Sequence, residues 1–219
     1  MVLKPLEYDY EKNFLMVKHY NTFFVTEKDI EGTGMFHSFK FSNMRNPYEP
    51  FLDLVKKFLE EKLAEREEFS VEDFLKKAEV YPMHRKIFLE YFLTGTCERR
   101  EELLIREYLY EKGKFQKALL NMLSEMAKET PFFLVLDEIN LAGTSALRIL
   151  EQIASNSDYN HIKVIAILNE EGKALPFAEK QLKHFFHICE EADMVYNWSY
   201  EEELDSVGWK ESQKEEKGI

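Results

Sequence analysis

The feature that most constrains this chain is the stretch Pro131–Gly143, PFFLVLDEINLAG. An unbroken apolar run from Phe132 to Leu136 stops abruptly at two carboxylates, Asp137 and Glu138. A half-exposed strand would alternate apolar and polar residues. This run does not, so it reads as a short strand buried on both faces, the kind that parallel sheets use. In open α/β sheets, ligands bind just outside the carboxyl ends of the strands. Asp137 and Glu138 stand at such an end. One carboxylate there can hold a magnesium ion, directly or through water, while its neighbour orients or activates a water. The competing reading is an ordinary buried strand whose next turn is acidic.

The residues that follow extend the pattern. Thr144-Ser145 can cap a helix whose apolar stripe is Leu147, Ile149, Leu150 and Ile153. A turn at Asn156–Asn160 leads into His161–Asn169, a second largely apolar strand ending in a polar residue. Strand, helix and strand with short connections make a βαβ unit, which requires a parallel pair and a right-handed crossover. Beyond it, Glu170-Glu171-Gly172 is a loop, Pro176–Phe186 a helix, and Ala192–Trp198 a short strand. Residues 201–219 form a charged tail.

Upstream, Tyr8–Val17 reads as the start of a short helix, and Asn21–Thr26 as a strand rich in aromatic and β-branched residues. Glu31-Gly32-Thr33-Gly34 is a polar loop, and Met35–Phe41 alternates well enough to be another strand. Phe36, Phe39 and Phe41 cannot all share one face of it. After the prolines at 47 and 50, Phe51, Leu54, Val55, Phe58, Leu59 and Leu63 follow helical spacing. Ser70-Val71-Glu72-Asp73 has the form of a capping box ahead of Phe74, Leu75 and Ala78. Pro82 opens a helix with the stripe Ile87, Phe88, Tyr91, Phe92 and Leu93. Residues 98–110 and 114–128 read as two more helices. The expected fold is therefore α/β, with a small parallel sheet flanked by helices. It forms one domain over residues 1–200 with a helical insertion over 52–128.

Composition agrees with a packed domain: of 219 residues, 45% are hydrophobic and 14% aromatic. The formal net charge of −12 argues against a nucleic-acid surface. No apolar run is long enough to span a bilayer. The two cysteines, Cys97 and Cys189, lack metal-ligand spacing; a reduced, cytoplasmic setting with free thiols is the simplest reading, and a single disulfide is the alternative.

PFFLVLDEINLAGTSALRILEQIA resembles the Walker B strand and following helix of AAA+-like, STAND-type P-loop NTPases. EKGKFQKALLNMLSEMAKETP resembles the helical lead-in to that strand. NPYEPF at Asn46–Phe51 is similar to the stretch after the family's second strand, and HIKVIAILNEE to its sensor strand. The resemblance spans about residue 35 to about residue 200 and implies a P-loop NTPase-like fold. It implies ATP and magnesium as cofactors, Asp137 as metal ligand, Glu138 as the water-orienting base and Asn169 as a sensor of the γ-phosphate. It also implies a regulatory switch whose partner is a protein, a neighbouring domain or another copy of the chain.

One family hallmark is missing. A phosphate loop ends in Gly-Lys-Ser/Thr, and no such string occurs here. The nearest candidate for nucleotide binding is Gly32-Thr33-Gly34, followed by Met35 and Phe36 where a lysine and a hydroxyl are required. Three explanations stand: a degenerate relative that no longer hydrolyses nucleotide, a lost segment, or a simple hairpin turn. Arg99 and Arg100 read either as an arginine finger or as solvated ion-pair partners. His84, His161, His184 and His187 show no metal-ligand spacing. The aromatics at 36, 39, 41, 51 and 58 read as core rather than as a base-stacking platform. A non-catalytic protein-interaction module on the same scaffold is the alternative function.

Overall fold

A computed structural model describes residues 12–19, 35–41, 48–65, 68–94, 108–169 and 172–197. Its centre is a five-stranded sheet made of β1 (Phe14–His19), β2 (Met35–Lys40), β3 (Phe132–Asp137), β4 (Lys163–Asn169) and β5 (Val195–Asn197). The strand order is β2-β3-β4-β1-β5, and every pairing is parallel. The connections β2→β3, β3→β4 and β4→β5 all progress toward the β5 edge. The β1→β2 connection runs the other way. The direction of winding therefore reverses at the β1/β4 pair, where Phe14 to His19 lie in register with Val164 to Asn169.

Six described helices occupy the connections that progress toward β5. Between β2 and β3 come α1 (Glu49–Glu65), α2 (Val71–Lys77), α3 (Pro82–Thr94) and α4 (Tyr108–Glu129). Between β3 and β4 lies α5 (Thr144–Ser155), and between β4 and β5 lies α6 (Glu179–Glu191). Right-handed crossovers in one direction put their helices on one face of the sheet. The main core bears this out: Phe14, Met16, Leu134, Leu136, Val164 and Ala166 from the strands merge with the buried faces of all six helices. On the opposite face, Leu15, Val17, Phe133, Val135, Ile165 and Ile167 form a second buried cluster, with Phe36 packed against it. No described helix contributes to this second cluster. All six residues of β3 are buried, as an uninterrupted apolar strand requires.

Local chemistry explains the helix boundaries. Ser70 sits at the N-cap of α2 in extended conformation, and its hydroxyl accepts from the Asp73 N–H at 3.3 Å. Pro82 starts α3, a position where its missing N–H costs nothing. On α3, His84, Phe88 and Phe92 recur at helical spacing and are buried, and Phe88 stacks on Phe115 of α4 at 4.8 Å.

Several sequence expectations need correction. Phe14–Val17 belongs to β1 rather than to a helix. The expected helices 98–110 and 114–128 are not separate at 110–114, because α4 runs through without a break. Gly143, not Thr144 or Ser145, is the N-cap of α5 and offers no side-chain bond. Leu93 is exposed instead of lying in the α3 stripe. The last helix starts three residues later than Pro176, since residues 176–178 form a turn. Asn21–Thr26, the expected strand, lies outside the described residues, as does the tail 201–219.

Candidate functional site

The carboxyl rim of the sheet carries the candidate site. β2 and β3 are in register from Met35↔Phe132 to Lys40↔Asp137. The pairing continues one bond further, with the Phe41 N–H donating to the Asp137 carbonyl at 2.9 Å. Side chains alternate along strands. Lys40 therefore falls on the same face as Phe36, and Asp137 on the same face as Phe133 and Val135. That is the face of the second cluster, and it brings an ammonium and a carboxylate together at the rim.

Directly after β3 the chain turns sharply. Glu138 adopts the left-handed conformation, with φ 55° and ψ 48°. Its carbonyl accepts from the Leu141 N–H at 2.8 Å, which opens a single 3-10 turn, Ile139–Leu141, before α5. Without this reversal, Glu138 would continue the strand alternation and point away from Asp137. With it, both carboxylates meet one cation: Lys40 Nζ lies 3.7 Å from Asp137 Oδ2 and 3.4 Å from Glu138 Oε2. The Asp137 and Glu138 side chains are 11% and 16% exposed, against 35% for Lys40. Asp137 Oδ2 is buried and has no hydrogen-bond partner among the described residues. Burial pushes the Asp137 carboxyl above its ordinary range, against the opposing pull of Lys40 and of the Glu138 backbone N–H.

Asn169, expected as a phosphate sensor, ends β4 on the same rim and is in register with His19 of β1. The Gly172 N–H donates to the Asn169 carbonyl at 3.1 Å. Asn140, which the sequence reading did not single out, fastens residues 173–175 to the β3–α5 turn. Its Nδ2 donates to the Lys173 carbonyl at 3.4 Å, and its carbonyl accepts from the Leu175 N–H at 3.2 Å. Asn140 is buried, and its Oδ1 has no hydrogen-bond partner among the described residues. A Cβ built on Gly172 would stand 2.4 Å from Asn140 Nδ2 and 3.2 Å from Asn169 Cγ, so glycine is what lets these three positions meet.

The rim thus joins Asp137 and Glu138 to Lys40, and Asn169 to Asn140 and Gly172. Gly32, Thr33 and Gly34 lie outside the described residues, and Gly34 is bonded to Met35, the first residue of β2. Arg99 and Arg100 also lie outside. His184 and His187 reach Glu151 and Glu191 at 3.8 and 3.3 Å. Among the described residues, no group of three or more His, Cys, Asp or Glu side chains is arranged to hold a metal. The Asp137–Glu138 pair does not fit a resident divalent ion as arranged. Magnesium requires near-octahedral oxygen ligands at about 2.0–2.1 Å, and here an ammonium supplies the counter-charge to both carboxylates.

Two grooves of about 590 and 660 Å³ open elsewhere, one beside Phe69, Asp73 and Lys77, the other beside Gln116, Arg148 and Gln181. Neither includes the acidic pair. No described helix is long and apolar enough to cross a membrane. Comparisons with family models, with curated proteins and with solved structures found no match.

Proposed function

We propose that this chain is a degenerate AAA+/STAND-like module that works as a regulatory switch, taking the phosphates of ATP at the carboxyl rim of its sheet. The observation that carries this reading is the position of Asp137 and Glu138 at the carboxyl end of β3, one strand removed from the β1/β4 pair where winding reverses. Crevices at such reversals are where open α/β sheets take ligands. Asn169 and the Asn140–Gly172 contact border the same rim and give a bound phosphate a route to the β4–α6 loop. Turnover is not proposed: the chain lacks Gly-Lys-Ser/Thr, and Lys40 is ion-paired with both members of the acidic pair.

The same two facts favour a second reading, a non-catalytic module that binds a protein partner and no nucleotide. A thermal-shift titration with ATP, run with and without magnesium, separates them. A ligand that binds only the native state raises the unfolding midpoint as its concentration passes the dissociation constant. A rise is expected for the switch. No rise at millimolar ATP in either buffer removes nucleotide binding and leaves the interaction module.

A further inference from the structure

We infer that Lys40 is a built-in replacement for a divalent cation, which keeps metal ions off the Asp137–Glu138 pair in the intact protein. The inference rests on side-chain placement alone. It deepens the nucleotide reading by implying that any nucleotide taken at this rim binds as its metal-free form, a consequence that depends on that reading.

Three observations converge. First, the ammonium is shared: Nζ lies within 3.7 Å of one oxygen from each carboxylate, so both negative charges face the same cation. Second, its placement is set by backbone. Lys40 and Asp137 are register partners, and Glu138 is turned toward them by its left-handed conformation. A cation bridging Asp137 Oδ2 and Glu138 Oε2 at ordinary magnesium distances would fall within a few ångströms of Nζ, where like charges repel. Third, Asp137 Oδ2 is buried without a hydrogen bond from any described residue, although a carboxylate oxygen has room for more than one donor. That oxygen is held by charge rather than by a directed bond, so removing the ammonium exposes a ligand atom that needs a new partner. A lysine serves here because a flexible stem carries a compact charge to two separate acceptors.

Manganese alone is the probe, because loss of its free-ion paramagnetic resonance signal counts bound metal without any nucleotide. Wild-type protein, Lys40→Met, Lys40→Gln, Lys40→Arg, Asp137→Asn and Lys40→Met/Asp137→Asn are compared at matched ionic strength, with melting curves confirming folding. The Asp137→Asn protein sets the background of weak binding expected for a chain of net charge −12. Wild type and Lys40→Arg should match that background. Lys40→Met and Lys40→Gln should each gain one site at least tenfold tighter, and the double variant should lose it. The inference is overturned if wild type already holds manganese in an Asp137-dependent way. It is equally overturned if neither neutral variant gains a site, or if the gained site survives Asp137→Asn. None of these outcomes depends on whether ATP binds, so failure of the ATP titration leaves this test intact.

Discussion

Lys40 and Asp137 are register partners on neighbouring parallel strands, and Lys40 Nζ stands 3.7 Å from Asp137 Oδ2. The attraction does not fully offset the burial of Asp137, whose carboxyl titrates above its ordinary range because of desolvation. A carboxyl with a raised folded-state pKa contributes stability that is complete below the unfolded pKa and lost as pH rises through the folded one. Ionised Asp137 is therefore a net burden at neutral pH. Asp137→Asn, which keeps the shape and leaves Lys40 with Glu138, should raise the melting temperature at pH 7. The gain should be about 2–4 °C for each kcal/mol recovered in a chain of this size. It should fade as pH falls into the ordinary aspartate range. Melting curves from pH 3.5 to 8 check this, and a variant less stable than wild type at pH 7 would refute it.

Glu138 holds its left-handed backbone at a cost, since a Cβ in that conformation crowds the following carbonyl by about 1–2 kcal/mol. Comparing Glu138→Gly with Glu138→Ala separates backbone strain from lost charge, because both remove the carboxylate. Glycine should be the more stable of the two by about 1 kcal/mol, less whatever it loses through the greater freedom of its unfolded chain. Denaturant midpoints at equal slope measure the difference.

Gly172→Ala tests the knot at the rim. The new methyl would lie 2.4 Å from Asn140 Nδ2, and Asn140 is buried and bonded to the Lys173 carbonyl. Overpacking of this kind costs about 1–3 kcal/mol. Gly143→Ala is the control, because a Cβ there meets nothing within 4 Å. The prediction fails if both variants melt alike.

Cys189 is wholly buried on α6, and burial, with Glu151 nearby, pushes its thiol up to about 12. Thiolate is the reactive species, so Cys189 should be inert to a disulfide reagent at pH 8 until the protein unfolds. Mass mapping of the modified peptide distinguishes it from Cys97.

Much of the fold was legible because its signals are local. β3 and β4 announce themselves by unbroken apolar runs, and α1 by its buried Phe51, Leu54, Val55, Phe58 and Leu59. β1 does not declare itself in the sequence, because Phe14-Leu15-Met16-Val17 is too short for periodicity to separate strand from helix. Its flanking charges also resemble a helix start. The position of Asp137 at a strand end could be read from the string. Lys40 could not, because its closeness to Asp137 is a matter of register between strands far apart in the chain. Asn140 and Gly172 were hidden for the same reason: they touch only where two separate rim loops fold against each other.

The placement of β1 has a consequence for how the chain comes off the ribosome. Phe14–His19 is made before the other described strands, yet both its sheet neighbours, Val164–Asn169 and Val195–Asn197, are made only after β2, β3 and the helices between them. β2, β3 and the helices between them can associate while β1 waits with its apolar side chains unpartnered by strand. Nascent chains released before residue 163 should therefore carry an unpaired, sticky first strand. Such chains should recruit chaperones more readily than chains halted after residue 197.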